Sequence, residues 1–355
     1  MTQKNQRQQK QNMIFVTGGT GMVGAHLLYD LTQKGEKVRA LKRPGSPVKK
    51  TEKIFSFYNP SSEKLLSQIE WVEGDILDKE GLSELLNGVT QIYHCAAIVS
   101  FDSSKRDEII QINGEGTANL VDLALTLGIS KFCHVSSIAA IGPPPDGSEA
   151  NEEHPWRTSK ENSAYAESKY NAEMEVWRGT LEGLDAVIVN PSVIIGPGDW
   201  KTGSSTLFST IWKGMKFYTS GGTGFVDVKD VVTAMQLLMT EGNWVSIKNQ
   251  RYILNAENLL YRECFNLVAD NLKVNRPKIR ATKALLTIGY RISAIKKFFT
   301  GIPPALTREI AKSANKVSLY NGTKISKALN FNYISVADSI QQNSKIFLAE
   351  HRRKD

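Results

Sequence analysis

Cysteine is scarce. Cys95, Cys133 and Cys264 are the only three in 355 residues, and they show no C-x-x-C spacing, so no disulfide framework organises the chain and buried reduced thiols are expected. Metal ligands are equally sparse. His26, His94, His134, His154 and His351 form no H-x₃-H or H-E-x-x-H pair, which removes the sequence basis for a metal site. No stretch reaches the roughly 18 apolar residues that span a bilayer, and the polar leader lacks the apolar run of a secretory signal. A cytoplasmic protein without a membrane span is expected. The formal charge of +8 sits partly in that leader and in the tail His351-Arg352-Arg353-Lys354. No basic stripe interleaved with aromatics accompanies it, so nucleic acid is not the expected partner.

What is present is an alternation. Short apolar, β-branched runs at Met13–Thr17, Val38–Leu41, Ile69–Glu73, Gln91–His94 and Lys131–Val135 are separated by longer helical patterns. That order gives parallel strands with crossover helices on both faces. Further strands at Ala186–Val189 and Arg251–Leu254 extend the sheet. The expected fold is α/β, a doubly wound parallel-sheet Rossmann fold with a smaller, mostly helical C-terminal substrate cap. Residues 1–12 read as a disordered leader and 13–190 as the nucleotide-binding domain. Residues 191–350 read as a mixed region with the cap and with sheet elements returning at about 225–256, and 351–355 as a basic tail. The apolar helix Leu285 to Phe299, with Arg291, Lys296 and Lys297 interspersed, reads as a cap or dimer helix, with an interfacial membrane helix as the other reading. A break at Gly301-Ile302-Pro303-Pro304 follows it.

Directly after the first strand stands Thr17-Gly18-Gly19-Thr20-Gly21-Met22-Val23-Gly24, then a helical pattern. Glycines let the backbone turn sharply and approach a pyrophosphate, whose charge meets the free N–H groups at the helix start. Gly18, Thr20, Gly21, Met22, Val23 and Gly24 are therefore candidate cofactor contacts. Gly221-Gly222-Thr223-Gly224 begins the same way but lacks the third glycine and a preceding strand, so it is assigned no phosphate. At the end of the second strand, Lys42-Arg43 and then Lys49-Lys50 stand where an acidic residue would favour NAD and basic ones a 2′-phosphate. NADP(H) is the expected cofactor, with NAD(H) the alternative. Asp75, ending the third strand, is placed to meet an adenine.

Tyr165-Ala166-Glu167-Ser168-Lys169 opens a helical pattern, and the i, i+4 spacing puts phenol and ammonium on one face. The lysine is expected to draw the phenol below its ordinary pKa of about 10. Tyr320 and Lys324 have the same spacing but lie far past the nucleotide-binding units. Ser137 follows the fifth strand, beyond whose carboxyl end ligands of such sheets bind. No G-x-S-x-G elbow surrounds it, so it reads as a hydrogen-bond donor to a substrate oxygen, not a nucleophile.

Glycine loop, serine, tyrosine and lysine in this order resemble the extended short-chain dehydrogenase/reductase superfamily, the NAD-dependent epimerase/dehydratase family, and most nearly its dihydroflavonol-reductase and 3β-hydroxysteroid-dehydrogenase branch. The resemblance implies that Ser137, Tyr165 and Lys169 are catalytic and that Asn113 supports their proton relay. It implies that Arg43 and Lys50 contact the 2′-phosphate, and that Ile76, Ala96, Ala97, Ser136, Pro191 and Val193 join Tyr165 and Lys169 in the cofactor site. Asn190 stands where the family more often has arginine. The implied function is NADP(H)-dependent hydride transfer between nicotinamide and a ketone or secondary alcohol. A nucleotide-sugar epimerase or dehydratase with bound NAD is the rival. A non-catalytic NADP sensor is a third reading, against which Tyr165 and Lys169 are both retained. A small carbonyl or alcohol substrate and a homodimer through the helices of Asn113 and Tyr165 are implied partners. Trp156, Trp200, Phe208 and Phe225 are candidates to line an apolar pocket, with core packing as the alternative.

Overall fold

The computed structural model describes residues 12–352 except 143, 145, 160, 161 and 301–306. The leader up to residue 11, the break after Thr300 and the last three residues of the basic tail lie outside the described residues. The strands used below are β1 (Met13–Thr17), β2 (Lys37–Lys42), β3 (Ile69–Glu73), β4 (Val89–His94), β5 (Lys131–Val135), β6 (Ala186–Pro191), β7 (Val193–Ile195), β8 (Gly222–Asp227), β9 (Gln250–Leu254) and β10 (Glu257–Leu260). The helices are α1 (Met22–Gln33), α2 (Lys49–Tyr58), α3 (Gly116–Leu127), α4 (Ala164–Leu181), α5 (Val228–Leu238), α6 (Tyr261–Leu272), α7 (Lys283–Thr300) and α8 (Val336–Arg352).

Strand β1, Met-Ile-Phe-Val-Thr, is apolar on both faces because both are covered. Ile14 and Val16 pack with Leu27, Leu28 and Leu31 of α1 and Val231 and Met235 of α5. Phe15, pointing the other way, packs with Leu120, Val121 and Ala124 of α3 and Val176 of α4. This period-two division makes a continuous hydrophobic strand the centre of two helix layers. The resulting sheet has seven strands in the order β9-β6-β5-β4-β1-β2-β3, with every neighbouring pair parallel. The strand order reverses between β1 and β4, so the crevice beyond their carboxyl ends is where a ligand of such a sheet binds.

The C-terminal region is mostly helical, as expected, and carries α6, α7 and α8. A second sheet, in the order β10-β8-β7, lies between the central sheet and a core formed by Trp200, Phe208, Phe225, Cys264, Val268, Ile340 and Phe347. Three of the four aromatics considered for a pocket therefore belong to a packed core, and the Trp200 indole donates to Glu350 Oε2 at 2.7 Å. The glycines of the second Gly-rich stretch serve close backbone approach. A Cβ on Gly221 would meet the Lys316 carbonyl oxygen at 2.4 Å, and one on Gly224 would meet Asn255 Oδ1 at 2.1 Å.

Candidate active site

The turn out of β1 needs glycine for stated reasons. Gly18 has φ +70°, and a Cβ there would lie 2.7 Å from the Ala96 nitrogen and the Cys95 carbonyl carbon. A Cβ on Gly24 would lie 2.3 Å from the Gly18 oxygen. Gly21 caps α1 without any side-chain hydrogen bond, leaving the first-turn N–H groups for an anion. Thr20, Gly21, Met22 and Val23 are solvent-accessible around that cradle. These features fit a dinucleotide pyrophosphate. Gly18→Ala is expected to weaken dinucleotide binding at least about tenfold, since a left-handed non-glycine residue alone costs about 1–3 kcal/mol. A fluorescence titration showing wild-type affinity would remove the loop from the cofactor site.

The basic residues after β2 divide into two groups. Arg39 is bound to Glu70, at 2.8 Å, and to the Leu85 carbonyl, at 2.7 Å. Lys42 is bound to Glu73. Both tie β2 to the β3 side. Arg43 and Lys50 are exposed, with Lys50 Nζ 3.7 Å from Asp199. The buried Thr51 hydroxyl donates to the Gly19 carbonyl at 2.9 Å, which fixes the first turn of α2 against the glycine loop. That helix start also lacks a side-chain cap, so Lys49 and Lys50 open a helix whose first turn is fixed to the glycine loop by Thr51. Thr51 was not singled out in the sequence, and its signal was only its place one residue after the Lys-Lys pair. Asp75 is exposed, and its Oδ1 accepts from the Leu77 nitrogen at 2.9 Å. Ile76 is buried, its carbonyl taking the Asn119 amide at 3.0 Å. Ala96, followed by Ala97, donates its backbone N–H to Thr17 Oγ1 at 3.1 Å.

The structure brings Ser137, Tyr165 and Lys169 together. Ser163 caps α4 by accepting from the Ala166 nitrogen at 3.1 Å, which puts Tyr165 in the first turn and Lys169 one turn later, facing the end of β5. Burial raises the Tyr165 phenol above its ordinary pKa, and the nearby Ser137 hydroxyl opposes this. The lysine effect expected from the spacing is not part of that balance. Lys169 Nζ donates to the Val135 carbonyl at 2.7 Å, and burial draws its own pKa down to about 8, against raising effects of Cys95 and Glu173.

Asn113 lies in a π turn, Gln111–Glu115, just before α3, a distortion often found at functional sites. Its side chain accepts from the Ile98 nitrogen at 2.8 Å and donates to Ser168 Oγ, on α4, at 2.9 Å. Its carbonyl receives the Thr117 hydroxyl at 2.6 Å. Behind it runs a buried chain. The Thr17 hydroxyl bonds His94 Nδ1 at 2.8 Å, and His94 Nε2 bonds Thr117 Oγ1 at 2.9 Å. Burial, reinforced by Lys169, lowers the His94 pKa to about 3, so the ring is neutral. Since Thr117 spends its proton on Asn113, Nε2 carries the His94 hydrogen. His94 thus links the end of β1 and the Ala96 loop to Asn113.

A second buried group was missed in the sequence. Glu173, one turn beyond Lys169 and only 1% exposed, accepts from Ser136 Oγ at 2.8 Å, Asn190 Nδ2 at 2.8 Å and Arg251 Nη1 at 2.9 Å. Asn190 also donates to the Ser137 carbonyl at 3.1 Å. The Ser136 side chain therefore points to this carboxylate. The guanidinium comes from β9, whose Arg251 stands opposite Ile188 and whose Ile253 stands opposite Asn190. Arg251→Met should cost about 3 kcal/mol, because it leaves a buried carboxylate without its cation. Guanidinium unfolding measures this, and a loss below about 0.5 kcal/mol, the range of neutral surface changes, would contradict the role.

Pro191 is buried and Val193 partly so, at the junction of β6 and β7. On the open side Phe101, 40% exposed, meets the Tyr165 ring edge-on with centroids 5.7 Å apart. Trp156 stacks on Tyr170 at 4.6 Å. The Tyr320–Lys324 pair lies elsewhere: Tyr320 is buried with Ile138, Ile141, Ala150 and Ile253, and Lys324 Nζ donates to the Arg251 carbonyl at 3.0 Å.

Residues 14–249 match the model of the NAD dependent epimerase/dehydratase family. A Synechocystis protein provisionally named dihydroflavonol 4-reductase is 37% identical over 248 residues, 69% of this chain and 68% of that one. The sterol demethylase protein B of Methylococcus capsulatus is 30% identical over 275 residues, 76% of this chain and 78% of that one. Among solved structures, the dTDP-glucose 4,6-dehydratase of Streptomyces venezuelae with NAD bound superposes with a TM-score of 0.74 at 19% identity, covering 96% of this chain and 98% of that one. This last likeness is one of fold.

Proposed function

The chain belongs to the NAD dependent epimerase/dehydratase family and is an NAD(P)-dependent enzyme, and from that premise we propose that it uses NADP(H) to interconvert a ketone and a secondary alcohol. The observation that carries this reading is the Ser137 hydroxyl standing near the Tyr165 phenol, whose pKa it lowers against burial, with Lys169 one helical turn on and its Nζ at the end of β5. When bound, the dinucleotide supplies or accepts the hydride at its nicotinamide. In the reducing direction Tyr165 gives its proton to the nascent alkoxide and Ser137 hydrogen-bonds to the same oxygen. Lys169, whose Nζ lies at the end of β5, would hold the nicotinamide ribose. The Asn113–Thr117–His94 chain and the Glu173 cluster keep these groups in place. Arg43, with Lys50 and the free N-terminus of α2, receives the 2′-phosphate, and Asp75 meets the adenine.

The names of the relatives support flat polycyclic ketones as first substrates to try, and the Phe101–Tyr165 edge contact suits an apolar ring. A homodimer fits the exposed groove between Ile110, Gly114, Ala118 and Met174 on the helices of Asn113 and Tyr165. The test is NADPH oxidation against a panel of flavonoid, steroid and simple aryl ketones. Turnover with NADPH in excess of NADH supports the reading. Conversion of nucleotide sugars with no net change in cofactor would replace it with an epimerase or dehydratase.

A further inference from the structure

Acidic residues are missing from two stretches of the cap. None occurs between Asp199 and Asp227, and none between Asp270 and Glu309. The second stretch holds nine lysines and arginines, more than the net charge of +8 of the whole chain. The fold joins the two stretches. Phe217–Tyr218 pairs with Ile279–Arg280, placing Phe217 opposite Ile279, and the chain then passes through Ala281 and Thr282 into α7.

Over its described side chains, up to residue 293, helix α7 is anchored on one side and exposed on the other. Leu286 is buried with Ala281 and Ala314, whereas Leu285, Ile288 and Ile292, spaced to form one stripe, are 39%, 55% and 61% exposed. Phe217 and Ile279 are 44% and 47% exposed beside its start. Lys278, Arg280, Lys283 and Arg291, on the same segments, are exposed. Among the described residues no helix is long and apolar enough to cross a membrane, so such a helix lies on a surface, not through it.

We propose that this face of the cap docks on a membrane surface rich in anionic lipid headgroups. Charge complementarity selects that occupant. Isoleucine and leucine side chains enter the headgroup boundary while flanking cations meet lipid phosphates, whereas a second copy of the chain would set cations against cations. The face also adjoins the candidate site. The short helix Arg308–Ser313 places Glu309 within electrostatic reach of Arg106 and Asp102, and Arg106 is paired with Glu167, two residues after Tyr165. The docking itself is independent of the reaction proposed above.

The full chain is sedimented with vesicles of phosphatidylcholine alone and with vesicles carrying about one third phosphatidylglycerol, at low and at raised salt. Co-sedimentation with the anionic vesicles only, weakened by salt, is expected. Two variants on exposed positions, Ile288→Glu with Ile292→Glu and Lys283→Glu with Arg291→Glu, should each lower partitioning at least about tenfold, with the thermal unfolding midpoint and NADPH binding of the wild type. Wild-type protein left in the supernatant with both vesicles, or variants that sediment like the wild type, overturns the proposal. So does equal binding to single-stranded nucleic acid that survives the isoleucine substitutions, which would make the face a general polyanion surface.

Discussion

Tyr165→Phe is expected to lower the rate of ketone reduction by about 10²–10⁴-fold, the range contributed by a positioned proton donor. The ring stays, with its edge contact to Phe101, and only the hydroxyl near Ser137 goes. Dinucleotide affinity and the unfolding midpoint should therefore stay near wild type, which separates loss of chemistry from loss of structure. The pH dependence follows from the direction of the shift. Burial raises the Tyr165 pKa above its ordinary value, so the phenol remains protonated across the neutral range. Reduction should then hold steady through neutrality and fall as pH rises through that raised pKa, whereas alcohol oxidation, which needs the phenolate, should rise with pH. Steady-state profiles in both directions check this. A Phe variant within about threefold of wild type would take Tyr165 out of the chemistry.

Arg43→Ala should weaken NADPH binding by about tenfold, the lower end of the 1.5–3 kcal/mol of a hydrogen bond to a charged group, because the residue is exposed to solvent. NADH binding should be unchanged, since NADH has no 2′-phosphate. The selectivity loss should deepen with Lys50→Ala, whose ammonium is shared with Asp199. Titrations of both cofactors with both variants decide the point. Equal losses for NADPH and NADH would assign these residues a structural role, and tighter NADH binding by the wild type would move the reading toward the NAD-dependent alternative.

The Rossmann sheet was legible because its strands are buried on both faces. A run such as Met13–Thr17 must then be apolar throughout, and the glycines after it have no substitute at φ +70° or against the Gly18 carbonyl. The grouping of Ser137 with Tyr165 was legible through order along the chain, since the i, i+4 spacing recurs at Tyr320 and Lys324 without the same surroundings. What escaped was contact between distant segments. Nothing in the neighbourhood of Arg251 announces that it reaches Glu173 across two strands, and nothing separates Arg39 and Lys42, held by Glu70 and Glu73, from the exposed Arg43. The second sheet also escaped, because β7 spans three residues and β8 is interrupted by glycines that read as loop. The Lys169 effect on Tyr165 was inferred from spacing alone, which fixes a shared helix face but not the direction of a long side chain. In the structure that side chain turns to the Val135 carbonyl.

The central claim, net hydride transfer at a carbonyl aided by Tyr165 and Ser137, is tested most directly by a single turnover with NADPH deuterated at nicotinamide C4 and a ketone from the panel. The expected result is one deuterium on the carbinol carbon of the product, one equivalent of NADP⁺ formed, and neither in the Tyr165→Phe protein on the same timescale. Product without deuterium, or a substrate transformed while the cofactor returns to its starting state, would contradict the account.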